Sequence, residues 1–347
     1  MGPRTHVSAE RGLTRASAGV HYSRVVPVIA YFGPRGTFAE MALDEVLASH
    51  DPSLGGLDLT GGVTKVAASS PAATIAMVRS GEADYGCVPV ESSLEGSVPA
   101  TMDALVPPAS SGATGRVQVF AETVLDIAFT IAAAAPMADE EVRTIAAYPV
   151  ASAQVRRSVA ELFPNAEFLT SGSNAAAAQD VAAGRADAAV TTGLAARLSN
   201  LTVLADGVCD AKEATTRFLV LGRPAAPTRR TGTDRTSVIL DLANEPGSLM
   251  AAMNEFASRG IDLTRIESRP QRDEAEGRAI AGRYRFFLDA VGHIDDAAVA
   301  EALAALHRRC ERVVYLGSWP AVRTTGTPPP DQDESLAWVA AMRRGEY

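Results

Sequence analysis

Cysteine is scarce in this chain. Its 347 residues hold only Cys87, Cys209 and Cys310, an odd number at wide spacing, which argues against a disulfide framework and against the paired ligands of a zinc site. The five histidines, His6, His21, His50, His293 and His307, are equally scattered, so neither a metal nor another cofactor is expected. Long apolar runs are missing too. The Ala-rich stretch 129–136 is far short of the roughly 18 residues that a membrane span needs, and residues 1–24 carry Arg4, Arg11 and Arg15 without the apolar centre of a secretion signal. Cations are not grouped: the formal charge is -9 and no Lys/Arg block occurs, so a nucleic-acid surface is not expected. What remains is a chain for a reducing cytoplasm, with a small molecule as its ligand, neither membrane nor nucleic acid as its partner, and an apolar content of 47% that can bury a large core.

Strand-like and helix-like segments alternate from residue 28 to 204, the pattern of an α/β architecture with mostly parallel strands. The first strand is 28–32. Gly33-Pro34-Arg35-Gly36 then leads to Thr37, which with Glu40 has the spacing of a capping box before an apolar helix. Ser70-Pro71-Ala72-Ala73, continuing to Val78, Gly81, Ala83 and Asp84, lines up with Ser173-Asn174-Ala175-Ala176, continuing to Val181, Gly184, Ala186 and Asp187, at an offset of 103 residues. Each copy reads as cap, helix, Gly stop and strand. Either Ala-rich helices agree here by chance, or the two copies are two lobes of one fold enclosing a cleft. In the second case lobe one is 28–103 with 205–221, lobe two is 104–204, and 1–27 is a disordered extension.

Beyond a linker at 223–234 the pattern becomes βαββαβ, a ferredoxin-like order spanning 235–320. Strands are expected at 236–242 and 262–269. Between them Leu249, Ala252, Met253 and Phe256 form a helical stripe that Gly260 stops. In the third strand Tyr284, Phe286 and Leu288 alternate with Arg285, Phe287 and Asp289. A stripe of Val299, Ala302, Leu303 and Leu306 precedes the last strand at 313–316. The tail, 321–347, holds a proline-rich linker over 324–332 and a short helix over 334–344.

Three segments stand where α/β proteins bind ligands. Gly33 to Phe38 hands a strand over to a helix N-terminus, whose free N–H groups suit an anion, or is an ordinary capped turn. Glu91-Ser92-Ser93-Leu94-Glu95-Gly96-Ser97 follows a strand with a dense run of hydroxyls, either a polar turn or a binding wall. Thr215-Thr216-Arg217-Phe218 marks an abrupt change from polar to strand-like sequence.

Taken together, these segments resemble prephenate dehydratases over residues 28–320. Tyr31-Phe32-Gly33-Pro34-Arg35-Gly36-Thr37-Phe38 is similar to that family's opening motif, residues 83–98 to its second, and Thr216-Arg217-Phe218 to its Thr-Arg-Phe signature. Pro246-Gly247-Ser248-Leu249 and Glu267-Ser268-Arg269-Pro270 are similar to the phenylalanine-site motifs of an attached ACT domain. Ser92 and Ala214 stand where the family often has Asn, and Ala147-Tyr148-Pro149-Val150 replaces its Ser-His-Pro-Gln, with the later Gln154 retained. The resemblance implies a two-lobed catalytic domain like the periplasmic binding proteins. It also implies decarboxylating dehydration of prephenate, control by phenylalanine, and a homodimer or homotetramer. Thr216 is then the donor or acid at the leaving hydroxyl. Arg217 meets a substrate carboxylate or orders the loop, and Phe218 joins them or is simply core. Thr37, Glu91, Ser93, Gln154 and Thr191 line the cleft, while Asn244, Gly247, Ser248, Leu249, Glu267 and Ser268 line the phenylalanine pocket. Two rival readings are an arogenate dehydratase, which side-by-side turnover of the two substrates decides, and a binding module that has lost turnover, which ligand binding without turnover favours.

Overall fold

The structure, a computed structural model, describes residues 26–49, 53–54, 57–59, 62–108, 115–211, 213–273, 278–323 and 326–346. Of the N-terminal extension only Val26 and Pro27 fall within them.

The first lobe grows from the apolar strand β1 (Val28–Phe32) and from α1 (Phe38–Ala48), which buries Ala39, Ala42, Leu43 and Val46 at helical spacing. A small hairpin, β2 (Ser53–Leu54) with β3 (Leu57–Asp58), leads to β4 (Thr64–Ala68), α2 (Pro71–Ser80), β5 (Tyr85–Ser92), β6 (Gly96–Ser97), α3 (Pro99–Leu105) and β7 (Gln118–Asp126). The second lobe contains β8 (Phe129–Ala133), β9 (Thr144–Ala147), α4 (Pro149–Gln154), α5 (Arg156–Leu162), β10 (Glu167–Thr170), α6 (Asn174–Ala182), β11 (Ala188–Thr191), α7 (Gly193–Leu198) and β12 (Thr202–Val208). The chain then returns as β13 (Thr215–Gly222).

The two sheets run β4-β1-β5-β13-β7 and β10-β9-β11-β8-β12. In each, the first three strands pair in parallel, the fourth is reversed, and the fifth pairs antiparallel to it. The offset repeat falls on matching positions. Ser70 and Ser173 both cap their helices by accepting the N–H of Ala73 and Ala176, each at 3.0 Å, and β5 and β11 follow as the central strands. Even the Asp pair does the same work: Asp84 accepts the N–H of Val28 at 2.9 Å and Asp187 that of Thr144 at 2.8 Å, each pinning the first residue of a neighbouring strand or the residue that opens it.

The expected lobe boundaries need correction. β7 completes the first sheet and β12 the second, so the chain crosses between Asp126 and Phe129 and again between Val208 and Thr215, later than 103/104 and 204/205. Burial decides this: Val119, Phe120 and Leu125 of β7 fill the cores on the two faces of the first sheet, and Val208 packs in the second lobe.

The C-terminal unit is a four-stranded antiparallel sheet in the order β15-β16-β14-β17. Its strands are β14 (Asp234–Asp241), β15 (Leu263–Arg272), β16 (Ala279–Val291) and β17 (Arg312–Pro320), joined by α8 (Ser248–Ala257) and α9 (Ala297–Arg309). The alternation read in the third strand sorts its two faces. Phe286 and Leu288 pack under the helices, while Phe287 joins Ile239, Val314, Leu316 and Trp319 in one core with Leu219 and Leu221 of β13. The second face of this sheet is therefore covered by lobe one. At the closest approach, a Cβ on Gly317 would stand 2.5 Å from the Val119 carbonyl oxygen.

In the tail α10 (Asp333–Arg344) forms. The preceding prolines do not behave as a free linker: Pro329 and Pro330 lie against Gly292 and Gly260, so a segment too polar for a core is instead laid on the surface of this unit. Among the described residues, no helix is long and apolar enough to cross a membrane.

Candidate active site

In both lobes the carboxyl ends of the parallel strands meet the N-termini of helices, and these ends face each other across the interlobe cleft, where open α/β sheets bind ligands. Among the described residues the lobes touch at few points. Phe38, the first residue of α1, sets its ring edge-on to Phe129 with centroids 5.5 Å apart. Thr192 Oγ1 donates across the cleft to the Gly36 carbonyl at 2.6 Å. Gly36, at φ +90, lies so close to α7 that an added Cβ would be 2.9 Å from that of Ala195, which leaves only glycine for this position.

The expected capping box is rearranged. Thr37 Oγ1 donates to the Phe32 carbonyl at 3.0 Å instead of capping α1, and Glu40 reaches one residue further back to accept the Gly36 N–H at 2.7 Å. Glu40 is buried, pairs with Lys65 at 3.2 Å, and together with burial pushes the Tyr31 phenol up to about 12. Such a braced loop keeps the first N–H groups of α1 presented at the cleft with Thr37 beside them.

β13 divides the expected catalytic trio between its two faces. Phe218 is 3% exposed and sits in the core beneath α1 with Val220. Thr216, half-buried, shares that face one position nearer the cleft, level with Ser92 and Leu125 of the flanking strands. Arg217 points the opposite way. Its guanidinium donates to Asp289 at 2.5 Å and has Glu91 and Glu122 each at 3.6 Å. Burial works against its charge, but Asp289 and Glu122 outweigh this and raise its pKa above the ordinary value. Held by three carboxylates, it is not available to a substrate carboxylate. The second part of its expected role, ordering the chain, is what its contacts support.

The remaining candidates divide as well. Ser93 is at the cleft-side end of β5, where its Oγ accepts the Thr215 N–H at 2.9 Å. Gln154 ends α4, with its carbonyl accepting the Asp210 N–H at 2.8 Å beside the second crossing. Glu91 turns from the cleft toward Arg217 and Arg265, the latter at 3.7 Å, because a bulge in β5 opposite Arg217 and Phe218 flips its face. Thr191 is fully buried and spends its hydroxyl on the Asn174 carbonyl at 2.7 Å, so it braces α6 and lines nothing. Sequence reasoning passed over Thr192 and Asn174. Thr192 caps α7, a signal present in Thr-Thr-Gly after a strand; Asn174, whose amide oxygen is buried without a hydrogen-bond partner among the described residues, was visible only as part of the repeat.

Of the expected pocket residues in the C-terminal unit, Asn244 through Leu249 form the turn into α8, with Gly247 at φ +85 as its N-cap and no atom in the way of a side chain there. Glu267 and Ser268 lie on β15, separated from β14 by β16. Ser268 faces the helix side, but Glu267 accepts the Ser97 hydroxyl at 3.0 Å. One chain therefore does not bring the two groups together, and Glu267 belongs to the seam with lobe one.

Cys87, Cys209 and Cys310 are all free. Burial pushes the Cys87 thiol up to about 12, which makes it inert as a nucleophile.

Fold and cleft thus define a two-lobed small-molecule α/β protein with a ferredoxin-like unit packed on its first lobe. Family comparisons make this specific: residues 29–226 match the model for prephenate dehydratase and residues 236–308 that for the ACT domain. The chain belongs to the prephenate dehydratase family. A prephenate dehydratase of Mycolicibacterium vanbaalenii is 53% identical over 325 residues, covering 92% of this chain and 99% of the relative. The crystal structure of prephenate dehydratase from Arthrobacter aurescens in complex with L-Phe superposes with a TM-score of 0.77 at 33% identity, covering 92% of this chain and 100% of that one. A chain described as a novel type of quorum-quenching acylase shares the fold at a TM-score of 0.70 and 28% identity, over 85% of this chain and 98% of that one.

Proposed function

We propose that this chain is a hydro-lyase that converts prephenate to phenylpyruvate, with Thr216 as the group that assists the leaving hydroxyl. The observation carrying the activity is the match to the Mycolicibacterium dehydratase along 92% of the chain; the acylase shows that the fold alone would not carry it. Chemically, prephenate takes up one proton and leaves as phenylpyruvate, carbon dioxide and water. The bond to the ring carboxylate breaks, its electron pair enters the ring, and the ring expels the hydroxyl. Charge thus leaves a carboxylate and appears on an oxygen, so a donor at that oxygen is worth more than a cation at the ring carboxylate. What supports this reading is that Thr216 stands at the start of β13 beside Ser92 and Leu125, while its neighbouring cation Arg217 is turned away and paired with carboxylates. The side-chain carboxylate of the substrate is assigned to the braced N-terminus of α1 with Thr37. Ser93, Gln154 and Asn174 are the further lining groups.

Residues 28–222 form the catalytic part and 235–320 the regulatory part. The regulatory ligand is phenylalanine, at a seam where the 244–249 turn of one copy meets Ser268 of another. Three features support such pairing: β15 is the free edge of its sheet while β17 is covered by β7, Met250 is 71% exposed, and Ile266 and Tyr284 are exposed as well. A reducing cytoplasm is the compartment that the unpaired thiols support. The test is a phenylpyruvate assay with prephenate, run with and without phenylalanine, alongside calorimetric titration of phenylalanine. Turnover of prephenate that phenylalanine alters is expected; absence of turnover would sink the catalytic reading, and turnover without any phenylalanine binding would sink the regulatory one.

A further inference from the structure

Between lobe one and the ACT sheet lies a buried ionic cluster that the reaction itself does not use. Arg217, Arg235 and Arg265 face Glu91, Glu122 and Asp289, three cations against three anions. Glu122 is fully buried and takes both oxygens to Arg235, at 2.7 and 2.6 Å. That leaves it only the longer 3.6 Å approach to Arg217. Glu91, 41% exposed, is equally distant. The short bond to Arg217 therefore comes from one residue, Asp289 on β16, whose own carboxyl is held below the ordinary range although burial opposes it, because Arg217, Arg265 and Arg235 surround it.

The place of this bond matters. Backbone pairing is irregular where β13 begins, since the β5 bulge falls opposite Arg217 and Phe218, and the strand has just emerged from the crossing between the lobes. The pairing with β7 is regular at these residues, so the strand is held along one edge there, and a ladder interrupted on the β5 edge leaves its pitch about that line to the side-chain anchors. Arg217 is the charged anchor, and Thr216 is the next residue on the chain.

We infer that Asp289 is a positioning residue for the dehydratase reaction: from the ACT sheet it acts through Arg217 to fix the start of β13, and Thr216 with it. This rests on the reading of Thr216 as the donor at the leaving hydroxyl. One ion pair and one peptide step then separate the ACT sheet from the reacting atoms. Without the Asp289 charge, Arg217 turns toward Glu122 and Glu91, and the strand turns with it.

The experiment is a double-mutant cycle on the full chain, in a Trp338→Phe background so that fluorescence reports only Trp319, which is buried in the same seam. Asp289→Asn should lower kcat about tenfold with KM within about twofold, while blue-shifted Trp319 emission shows the seam still closed. Asp289→Glu should recover most of the rate. In an Arg217→Gln background, adding Asp289→Asn should change kcat by less than about twofold. Unchanged kcat in Asp289→Asn, or single effects that simply multiply in the double variant, would overturn the inference. Should Asp289→Asn not fold, Asp289→Glu and Arg217→Lys form the cycle, and multiplying effects there overturn it equally. Normal turnover by Thr216→Ala beside a coupled cycle would remove Thr216 from the reaction and leave Asp289 positioning the strand for another group.

Discussion

Two junctions meet on the first lobe and are built on opposite plans. Toward the second lobe the contacts among the described residues are sparse: an aromatic pair, a hydroxyl bond to Gly36, the packing of Gly36 on Ala195 and two short crossings. Toward the ACT sheet there is a shared apolar core from Ala30 to Trp319, strand β17 crossing β7, and the ionic cluster around Glu122. Close packing with buried ion pairs resists sliding, whereas a junction of few contacts opens at little cost. Lobe one and the ACT sheet are thus packed as one body, and the second lobe is the part with the fewer ties.

This contrast can be broken at several places. The largest effect is expected at the cleft itself: Thr216→Ala should lower kcat by about a hundredfold or more without changing the unfolding midpoint, as loss of one donor to a developing oxyanion does. Near-normal turnover would show that the cleft side of β13 does no chemistry. At the seam, Gly317→Ala forces a Cβ against the Val119 carbonyl at a φ of +134, and chemical denaturation should report a loss of about 2–4 kcal/mol. A neutral outcome would mean that the seam yields as easily as the lobes do. Phe38→Ala removes the aromatic contact between lobes and should raise KM several-fold with a smaller change in kcat. Equal loss in both would show that the junction holds a fixed closed form.

The smallest effect is one of pH. The Asp289 carboxyl is depressed in the folded chain, so its stabilisation is complete above the ordinary carboxylate value near 4 and is lost as pH falls through the lower folded value. The difference in Tm between the wild-type chain and Asp289→Asn should therefore hold level above about pH 4 and shrink as the pH falls below it. A difference that grows on acidification would contradict the assignment.

Much of this organisation is legible in the sequence where local chemistry decides it. Ser70 and Ser173 announce their caps, Gly260 stops α8, and the alternation from Tyr284 to Asp289 sorts core from seam. The lobe boundary is not legible, because β7 follows lobe-one elements through residues of no marked pattern and only burial of Val119, Phe120 and Leu125 shows which sheet it completes. Nor could the choice between the two roles offered for Arg217 be read. Alternation puts it opposite Thr216, but what covers that face comes from 72 residues further along, at Asp289. The contact of Glu267 is hidden for the same reason: a motif gives the residue, and the partner Ser97 is 170 residues away.

The two crossings run side by side. Thr215 pairs with Asp126, Val208 with Phe129, and the Ile127 N–H donates to the Ala214 carbonyl at 2.7 Å. Two strands bonded in this way bend about the line they share. In any rotation, displacement grows with the lever arm from that line, and Thr216 stands one residue from it while β10 stands three strands from β8, at the far edge of its sheet. Opening and closing therefore carry β10 through the longest arc and leave the Thr216 hydroxyl, the proposed donor, almost where it was. A substrate can be admitted and enclosed by a moving wall without that hydroxyl losing its aim.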